Sequence, residues 1–100
     1  MTPLETLKAA RDLISDPARW TQGWFAKNAH GENVHSFSEN AVCFCALGAL
    51  DRTHNATLAI KDRLQRHLPP EHNISSFNDT HTHAEVIALF DAAIAELEGA

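Results

Sequence analysis

The histidines and cysteines are the residues of this chain whose types could hold a metal ion. The sequence contains seven histidines and two cysteines among 100 residues, and imidazole and thiolate groups are the usual ligands of zinc. His81 and His83 could chelate an ion from an extended segment, with His72 or Asp79 as a third ligand. Their spacing matches no zinc motif, however, and a helix capped by Thr82 would place His83 in its first turn. We therefore favour no metal site and no cofactor, and keep these four residues as the metal-binding alternative.

Cys43 and Cys45 could take part in a second kind of chemistry, nucleophilic catalysis by a thiolate. Cys45 would attack, a histidine would accept its proton, and Asn78 or Asp79 would orient the imidazole ring. Both cysteines lie in the apolar segment 41–50, where burial raises the pKa of a thiol and hides the sulfur. The sequence also lacks a Walker loop, a dinucleotide-binding glycine pattern and a nucleophile elbow. We therefore expect no catalytic residue.

A polar cluster at residues 75–80, Ser-Ser-Phe-Asn-Asp-Thr, offers side-chain acceptors ahead of the last predicted helix. Asn78 and Asp79 most often form turns or accept hydrogen bonds from exposed backbone N–H groups, and we expect that role in a loop here. The alternative is a polar pocket, formed where this loop packs near Trp20 or Trp24. Asn78 and Asp79 are therefore candidate ligand or interaction residues.

The aromatic residues Trp20, Trp24 and Phe25 fit two roles. Aromatic side chains dominate hydrophobic cores, and they are also frequent anchors of protein interfaces. Burial is the commoner outcome and is what we expect for most of this group. If one tryptophan is exposed beside acidic residues, a protein partner becomes the better explanation. Trp20 and Trp24 are therefore candidate interaction residues together with Asn78 and Asp79.

Helix signals at the two ends of the chain define the elements that must position these residues. Thr2, Pro3 and Glu5 form a capping box with proline at the first helical position, which predicts a helix to about Ser15. Thr82 and Glu85 form a second capping box, and the helix that follows should end at Gly99.

The middle of the chain gives weaker signals. Residues 18–37 are the least regular, and we predict a short β-hairpin joining the residues around Phe25 to those around Val34, or an irregular segment there. A central buried helix, capped by Ser36 or Ser38, should run through the apolar segment 41–50. On it Ala41, Cys45, Gly48 and Ala49 would form a stripe of small residues that lets another backbone approach.

A further helix, capped by Asn55, should carry Ile60, Leu64 and Leu68 on one face and end before Pro69 and Pro70. The fold class is therefore mainly α, with about four helices around a central buried helix. One hundred residues suffice for one hydrophobic core, so we expect residues 1–100 to form one small globular domain.

Charge and hydropathy limit the classes of partner. Eight Lys and Arg residues against thirteen Asp and Glu give a net charge of −5, which disfavours direct contact with nucleic acid. No segment resembles a signal peptide or a membrane span, so we expect a cytoplasmic protein that does not contact a membrane. Cys43 and Cys45 should be reduced, since a disulfide between residues two apart would be strained.

One set of residues spread over most of the chain carries a family resemblance: Leu13, Ile14, Pro17, Trp20, Gly23, Phe25 to Ala29, Gly31, Ala41, Cys45, Gly48 to Leu50, Phe77 to Asp79, Glu85 and Val86. With these residues the sequence resembles a family of small uncharacterised domains found in bacteria and their phages. The sequence departs from the family's pattern at Phe44 and Phe77, where tryptophan is common, and at residues 81–83, His-Thr-His. The resemblance implies a shared fold, but no activity and no catalytic residue.

Together these observations predict a noncatalytic accessory domain that binds an unidentified protein partner, encoded by a phage or another mobile element. One alternative is a small-ligand or metal-binding module that uses the His-rich and Asn-Asp segments. Another is an acidic inhibitor of a nucleic-acid-binding protein, acting through Glu32, Glu39, Glu85, Asp91, Glu96 and Glu98. The last helix has a broad apolar face from Val86 to Leu97, which would either complete a monomer core or pair across a homodimer. We favour the homodimer, because a short four-helix chain can leave one apolar stripe uncovered.

Overall fold

The computed structural model describes residues 1–99, which form five α-helices and one small sheet of three short strands. A mainly α fold is therefore confirmed, with a larger β contribution and one more helix than predicted. The helices are α1 (Pro3–Leu13), α2 (Ala46–Arg52), α3 (Leu58–Gln65), α4 (Ile74–Thr80) and α5 (His83–Glu98), and the strands are β1 (Ala26–Lys27), β2 (Asn33–Val34) and β3 (Cys43–Phe44). A short 3-10 helix, Pro17–Arg19, follows α1.

The two capping boxes set the starts of α1 and α5, as predicted. The Thr2 hydroxyl accepts a hydrogen bond from the Glu5 backbone N–H at 3.1 Å, and the Glu5 carboxylate accepts one from the Thr2 N–H at 2.9 Å. Thr82 and Glu85 repeat the arrangement at α5, which ends at Gly99. These signals act within one helical turn and are independent of the rest of the fold.

The predicted hairpin is present, and a third strand joins it. β1 pairs antiparallel with β2, with Ala26 opposite Val34 and Lys27 opposite Asn33. The Asn28 side-chain oxygen closes the turn by accepting hydrogen bonds from two backbone N–H groups within it. β3 pairs antiparallel with the other edge of β1, so the strand order is β2-β1-β3.

The predicted start of the central helix at Ser36 or Ser38 is wrong, because part of the apolar segment 41–50 is strand. Its first half supplies β3, and α2 begins only at Ala46, with Cys45 as its N-cap. The Cys45 N–H donates to the Phe25 carbonyl at 3.1 Å, which ties this junction to the sheet. A short apolar run has no periodicity that distinguishes a strand from a helix. Only the pairing of this segment with the rest of the sheet determines where the strand ends and the helix begins.

The predicted stripe of small residues holds at Gly48 and fails at Ala41, which lies before β3. A Cβ atom added to Gly48 would sit 1.9 Å from the Phe25 carbonyl oxygen, far inside van der Waals contact. The absence of a side chain at Gly48 therefore lets α2 pack directly on the backbone that enters β1.

The predicted start of the next helix at Asn55 is also wrong. Thr57 caps α3, its hydroxyl accepting from the Ile60 N–H at 3.3 Å. Asn55 instead donates from its side chain to the Thr6 hydroxyl at 2.7 Å, a contact with α1 that the local sequence does not reveal. Leu68 lies beyond the end of α3.

The segment 75–80, predicted as a loop, lies in helix α4 (Ile74–Thr80). Asn73 caps it in a box with Ser76, and the side chains of both residues bond the other's backbone N–H. The helix has only seven residues and only two of them are buried, Ile74 and Asn78. It therefore shows too little apolar periodicity to be recognised from sequence.

The hydrophobic core lies where α1, α2 and α5 meet. Leu7 and Ala10 of α1, Leu50 of α2, and Phe90 and Ala93 of α5 are all fully buried. The apolar face of α5 is thus covered by α1 and α3 within one chain, so it provides no argument for a homodimer, which stays a prediction. None of the helices in residues 1–99 combines the length and hydrophobicity needed to cross a bilayer.

Candidate functional site

Asn78 is the centre of a buried polar network that joins α4 to α2 and to the segment after the 3-10 helix. Its side chain is 1% exposed. The side-chain oxygen accepts from the Trp20 indole N–H at 2.8 Å and from the Ala46 backbone N–H at 3.0 Å. The amide nitrogen donates to the Thr21 carbonyl and to an Asp79 carboxylate oxygen, each at 3.1 Å. Asn78 is therefore a positioning residue, with no surface to offer a ligand.

The residues after Trp20 are fixed to the carboxyl-terminal end of α4. The Gln22 side-chain amide donates to the carbonyl oxygens of Asn78 and His81, both at 3.0 Å. The Gly23 N–H donates to Asp79 Oδ1 at 2.9 Å. Gly23 has φ +87°, a conformation that favours glycine and turns the chain outward at this point. We call residues 20–23 with Asn78 the inner anchor.

Directly after the inner anchor, two consecutive aromatic side chains face the solvent. Trp24 is 48% exposed and Phe25 is 40% exposed, and their ring centroids lie 5.9 Å apart in an edge-to-face arrangement. We call this pair the aromatic ridge. The expectation that most of the aromatic group is buried therefore fails for two of its three members, since Trp20 alone is largely covered.

The aromatic ridge separates two pockets, each with one carboxylate in its wall. The first, the Asp79 pocket, has a volume of about 190 Å³ and is lined by Gly23, Trp24, Phe25, Cys45, Ser75 and Asp79. The second, the Asp51 pocket, has a volume of about 500 Å³ and is lined by Trp24, Phe25, Asn33, Val34, His35, Ser36 and Asp51. The surface here is therefore an aromatic ridge between two pockets that each contain a carboxylate.

Neither pocket carboxylate is paired with a basic side chain in the part of the chain described. Among the ion pairs of residues 1–99, none involves Asp79 or Asp51. Burial raises the pKa of the Cys45 thiol, hydrogen bonds from backbone N–H groups oppose that effect, and the charges of Asp79 and Asp51 reinforce it. The charges of the two carboxylates thus act on the same thiol.

The structure does not assemble the thiol chemistry that the sequence raised. Cys45 is 5% exposed, and its sulfur accepts a hydrogen bond from the Gly48 N–H at 3.3 Å as the N-cap of α2. No histidine lines the Asp79 pocket, which the thiol borders. Because the raised pKa also keeps the thiol protonated near neutral pH, Cys45 here is a capping and packing residue. Both cysteines are free thiols.

The four residues of the metal-binding alternative are not brought together. His83 Nε2 donates to the Ile14 carbonyl at 2.7 Å, and Asp79 is held by Gly23. His72 and His81 do lie side by side, with ring centroids 5.2 Å apart. Within residues 1–99, no group of three or more His, Cys, Asp or Glu side chains could hold a metal ion.

The acidic residues proposed for mimicry of nucleic acid are largely engaged elsewhere. Asp91 pairs with Arg11, Glu98 pairs with Lys8, and Glu85 closes the α5 capping box. Glu96 accepts from Arg63 at 3.1 Å and from Arg66 at 2.9 Å. Partial burial raises the pKa of Glu96, but the Arg63 hydrogen bond and the neighbouring positive charges outweigh it and lower that pKa overall.

Sequence reasoning named Trp24 and Asp79 as candidates, and the structure places both in the wall of one pocket. It missed Asp51 and Gln22. Gln22 carries no local signal, because its role depends on two carbonyl groups more than fifty residues away. Asp51 lies in helix α2, directly after the apolar segment 41–50. An acidic residue at the end of an apolar run is a sequence signal that the chain reaches the surface there, and this signal could have identified Asp51.

The fold and the site define a small, mainly α domain that holds an aromatic ridge between two acidic pockets. The chain belongs to DUF6197, a family of unknown function, whose family model matches residues 1–96. The resemblance to small uncharacterised domains is therefore confirmed. Neither a search of curated proteins nor a search of solved structures found a match.

Proposed function

We propose that this chain is a noncatalytic binding domain that recognises a protein partner through the aromatic ridge of Trp24 and Phe25. The observation that carries the proposal is the exposure of two consecutive aromatic side chains on a segment that the inner anchor holds rigidly. Unpartnered aromatic surface costs free energy in water, and aromatic residues are enriched among those that dominate interface energetics.

The rigid attachment of the ridge favours a binding role over a loose surface loop. Five hydrogen bonds fix the chain immediately before Trp24, and they link residues 20–23 to Asn78, Asp79 and His81. The Cys45 N–H fixes the Phe25 carbonyl immediately after it. Since ordering an interface costs roughly 0.5–1.5 kcal/mol for each side chain immobilised, a ridge ordered in advance binds more tightly than a mobile one.

The ridge is also continuous with further exposed aromatic surface. His35 lines the Asp51 pocket, and its ring centroid lies 5.2 Å from that of Phe37. Phe37 is exposed and stacks on His54 at 4.6 Å. The aromatic surface therefore extends across the Asp51 pocket. A protein interface needs more contact area than one side chain supplies, and this wider surface provides it.

A small-ligand site in the Asp51 pocket is the second candidate function. The volume of about 500 Å³ lies within the range of roughly 300–1,000 Å³ that is typical of small-molecule sites. Binding to the folded state would raise the melting temperature, and the rise would grow with the logarithm of the ligand concentration once that exceeds Kd. Screening a compound library by thermal shift, with Asp51→Asn as the matched variant, tests this candidate.

An acidic inhibitor of a nucleic-acid-binding protein receives little support, because most of the acids invoked for it are held in ion pairs or caps.

The proposal of a protein-binding domain also includes a phage or mobile-element origin and a cytoplasmic location. The origin rests on the sequence resemblance, and the location rests on the amphipathic first helix.

The test of the proposed function is affinity capture with a matched pair of variants. Wild-type protein, Trp24→Ala and Leu58→Ala are immobilised and exposed to a lysate of the source organism, and the retained proteins are quantified by mass spectrometry. Leu58 is 76% exposed on α3, so its variant also removes exposed apolar surface, but away from the ridge. A protein retained by wild type and Leu58→Ala but not by Trp24→Ala, and then bound when purified, supports the proposal. Retention that Trp24→Ala leaves unchanged contradicts it.

A further inference from the structure

We propose that the Asp79 pocket receives an arginine side chain of the protein partner, an inference that rests on the proposed function and names the chemistry that the ridge recognises. The occupant is a side chain on a protein and not a free metabolite, since the pocket volume of about 190 Å³ is smaller than small-molecule sites usually are.

The pocket presents hydrogen-bond acceptors that the fold leaves unused. Asp79 Oδ1 accepts from Gly23 and Asn78, whereas its second carboxylate oxygen has no hydrogen bond from residues 1–99. The Ser75 hydroxyl lines the same pocket and likewise has no hydrogen-bond partner in this range. A guanidinium group carries five N–H donors and no acceptor, so it matches a carboxylate oxygen beside a hydroxyl oxygen.

The remaining wall suits a planar cation. Trp24 and Phe25 supply aromatic surface next to the carboxylate, and arginine is the cation found most often against tryptophan faces. A lysine ammonium is a compact, strongly hydrated charge and gains less from such a wall. The pairing of one carboxylate with an aromatic ridge therefore favours arginine over lysine.

Charge complementarity points the same way over a longer range. The chain has a net charge of −5, and no Lys or Arg side chain lines either pocket beside the ridge. Asp51 adds a second carboxylate on the far side of the ridge. A partner segment that presents arginine would thus meet an attractive potential from both sides, which steers association and fixes its orientation.

The test uses three peptides that differ at one side chain. Uniformly ¹⁵N-labelled protein is titrated with acetyl-Gly-Arg-Gly-amide, with its citrulline analogue, which is neutral and nearly the same shape, and with its lysine analogue. The indole N–H signals of Trp20 and Trp24 are followed by NMR. Trp20 is the internal control, because its indole N–H is bonded to Asn78 inside the anchor.

The arginine peptide should shift the Trp24 indole signal saturably at millimolar concentration and leave the Trp20 signal in place. The citrulline peptide should give no saturable shift, and the lysine peptide should bind at least about threefold more weakly than the arginine peptide. An unchanged Trp24 signal with the arginine peptide overturns the proposal, and so does equal binding of the citrulline or the lysine peptide.

Asp79→Asn removes the charge while retaining a side-chain oxygen for Gly23 and Asn78, so the inner anchor should persist. This variant should weaken arginine-peptide binding by about tenfold or more, because charged hydrogen bonds are the stronger class. Asp62→Asn, an exposed acid on α3, is the matched control and should bind as wild type does. Equal binding by Asp79→Asn and Asp62→Asn overturns the proposal.

The inference and the proposed function fail in different ways. If Trp24→Ala loses the captured partner and Asp79→Asn retains it, the ridge binds a protein but the arginine assignment is wrong. If Trp24→Ala retains the partner, the proposed function is wrong, whatever the peptides show.

Discussion

Trp20 and Trp24 lie four residues apart on one short segment but have opposite roles. The Trp20 indole N–H is bonded to buried Asn78, and its ring lies edge-on to His83. Trp24 makes no such bond within the part of the chain described and projects between two pockets. The inner anchor thus commits one tryptophan to the fold, which leaves the other available for binding.

The facing helix α4 shows the same division at two adjacent residues. Asn78 makes four hydrogen bonds through its side chain, and all its polar capacity is used inside the protein. Asp79 gives one oxygen to the anchor and keeps the other at the pocket. Stability and binding here thus depend on neighbouring but different residues, and mutations should separate the two properties.

The largest expected effect follows from deleting the centre of the inner anchor. Asn78→Ala leaves the Trp20 indole N–H and the Ala46 N–H without their acceptor, and each unsatisfied buried donor costs about 1–3 kcal/mol. We expect a loss of about 3 kcal/mol in the free energy of unfolding, measured by urea denaturation and circular dichroism. Ser75→Ala, on the same helix, should change it by less than about 0.5 kcal/mol. A loss below about 1 kcal/mol for Asn78→Ala would show that the anchor does not hold the segment.

The second largest effect on stability is expected at Gly48, where α2 packs against the backbone of the ridge residue Phe25. Gly48→Ala should destabilise by about 2 kcal/mol or more, because the new Cβ would overlap the Phe25 carbonyl. Helix propensity alone predicts the opposite, a gain of about 1 kcal/mol.

Gly99→Ala is the matched control for that variant, since its Cβ would meet nothing closer than 3.4 Å. Differential scanning calorimetry of both variants decides between packing and propensity. A melting temperature that rises for Gly48→Ala would contradict the close approach.

The relative reactivity of the two cysteines tests whether the interior beneath the ridge is closed to solvent. Cys43 is partly exposed, whereas Cys45 is buried and its pKa is raised by that burial. Since the thiolate is the reactive form, iodoacetamide at neutral pH should modify Cys43 at least about tenfold faster, as peptide mapping by mass spectrometry would show. Raising the pH into the range where Cys45 ionises should reduce the difference between the modification rates of the two thiols. Equal rates at neutral pH would mean that the pocket opens to the thiol.

The smallest expected effect on stability belongs to the ridge itself. Trp24→Ala should lower the free energy of unfolding by about 1 kcal/mol or less, because the side chain is half exposed and makes no hydrogen bond to the anchor. Trp20→Ala should cost several times more, since it removes a partner of Asn78. Equal losses for the two tryptophans in urea denaturation would remove the distinction between anchor and ridge.

The sequence was informative wherever the physical signal was local. The capping boxes at Thr2 and Thr82 located α1 and α5, and the hairpin predicted between the residues around Phe25 and those around Val34 is present. The structure also places residues of the segment 75–80 beside Trp20 and Trp24, the placement that the alternative of a polar pocket requires.

The remaining features depend on contacts between distant parts of the chain. β3 exists because Cys43 and Phe44 pair with β1, and nothing within the apolar segment 41–50 distinguishes that outcome from helix. Helix α4 is not recognisable from the sequence because it has seven residues and one of its two buried positions is Asn78, where an apolar residue usually lies. The exposure of Trp24 likewise follows from the hydrogen bonds of Gln22 and Gly23 to α4, which are invisible to local patterns.

The most direct test of the central claim is the amount of partner that Trp24→Ala captures relative to wild type and Leu58→Ala, in preparations shown by calorimetry to be equally folded. The account predicts that capture falls by about tenfold or more for Trp24→Ala alone, the size of effect typical of a dominant interface residue. Undiminished capture by folded Trp24→Ala would contradict it and would show that the aromatic ridge is not the binding surface.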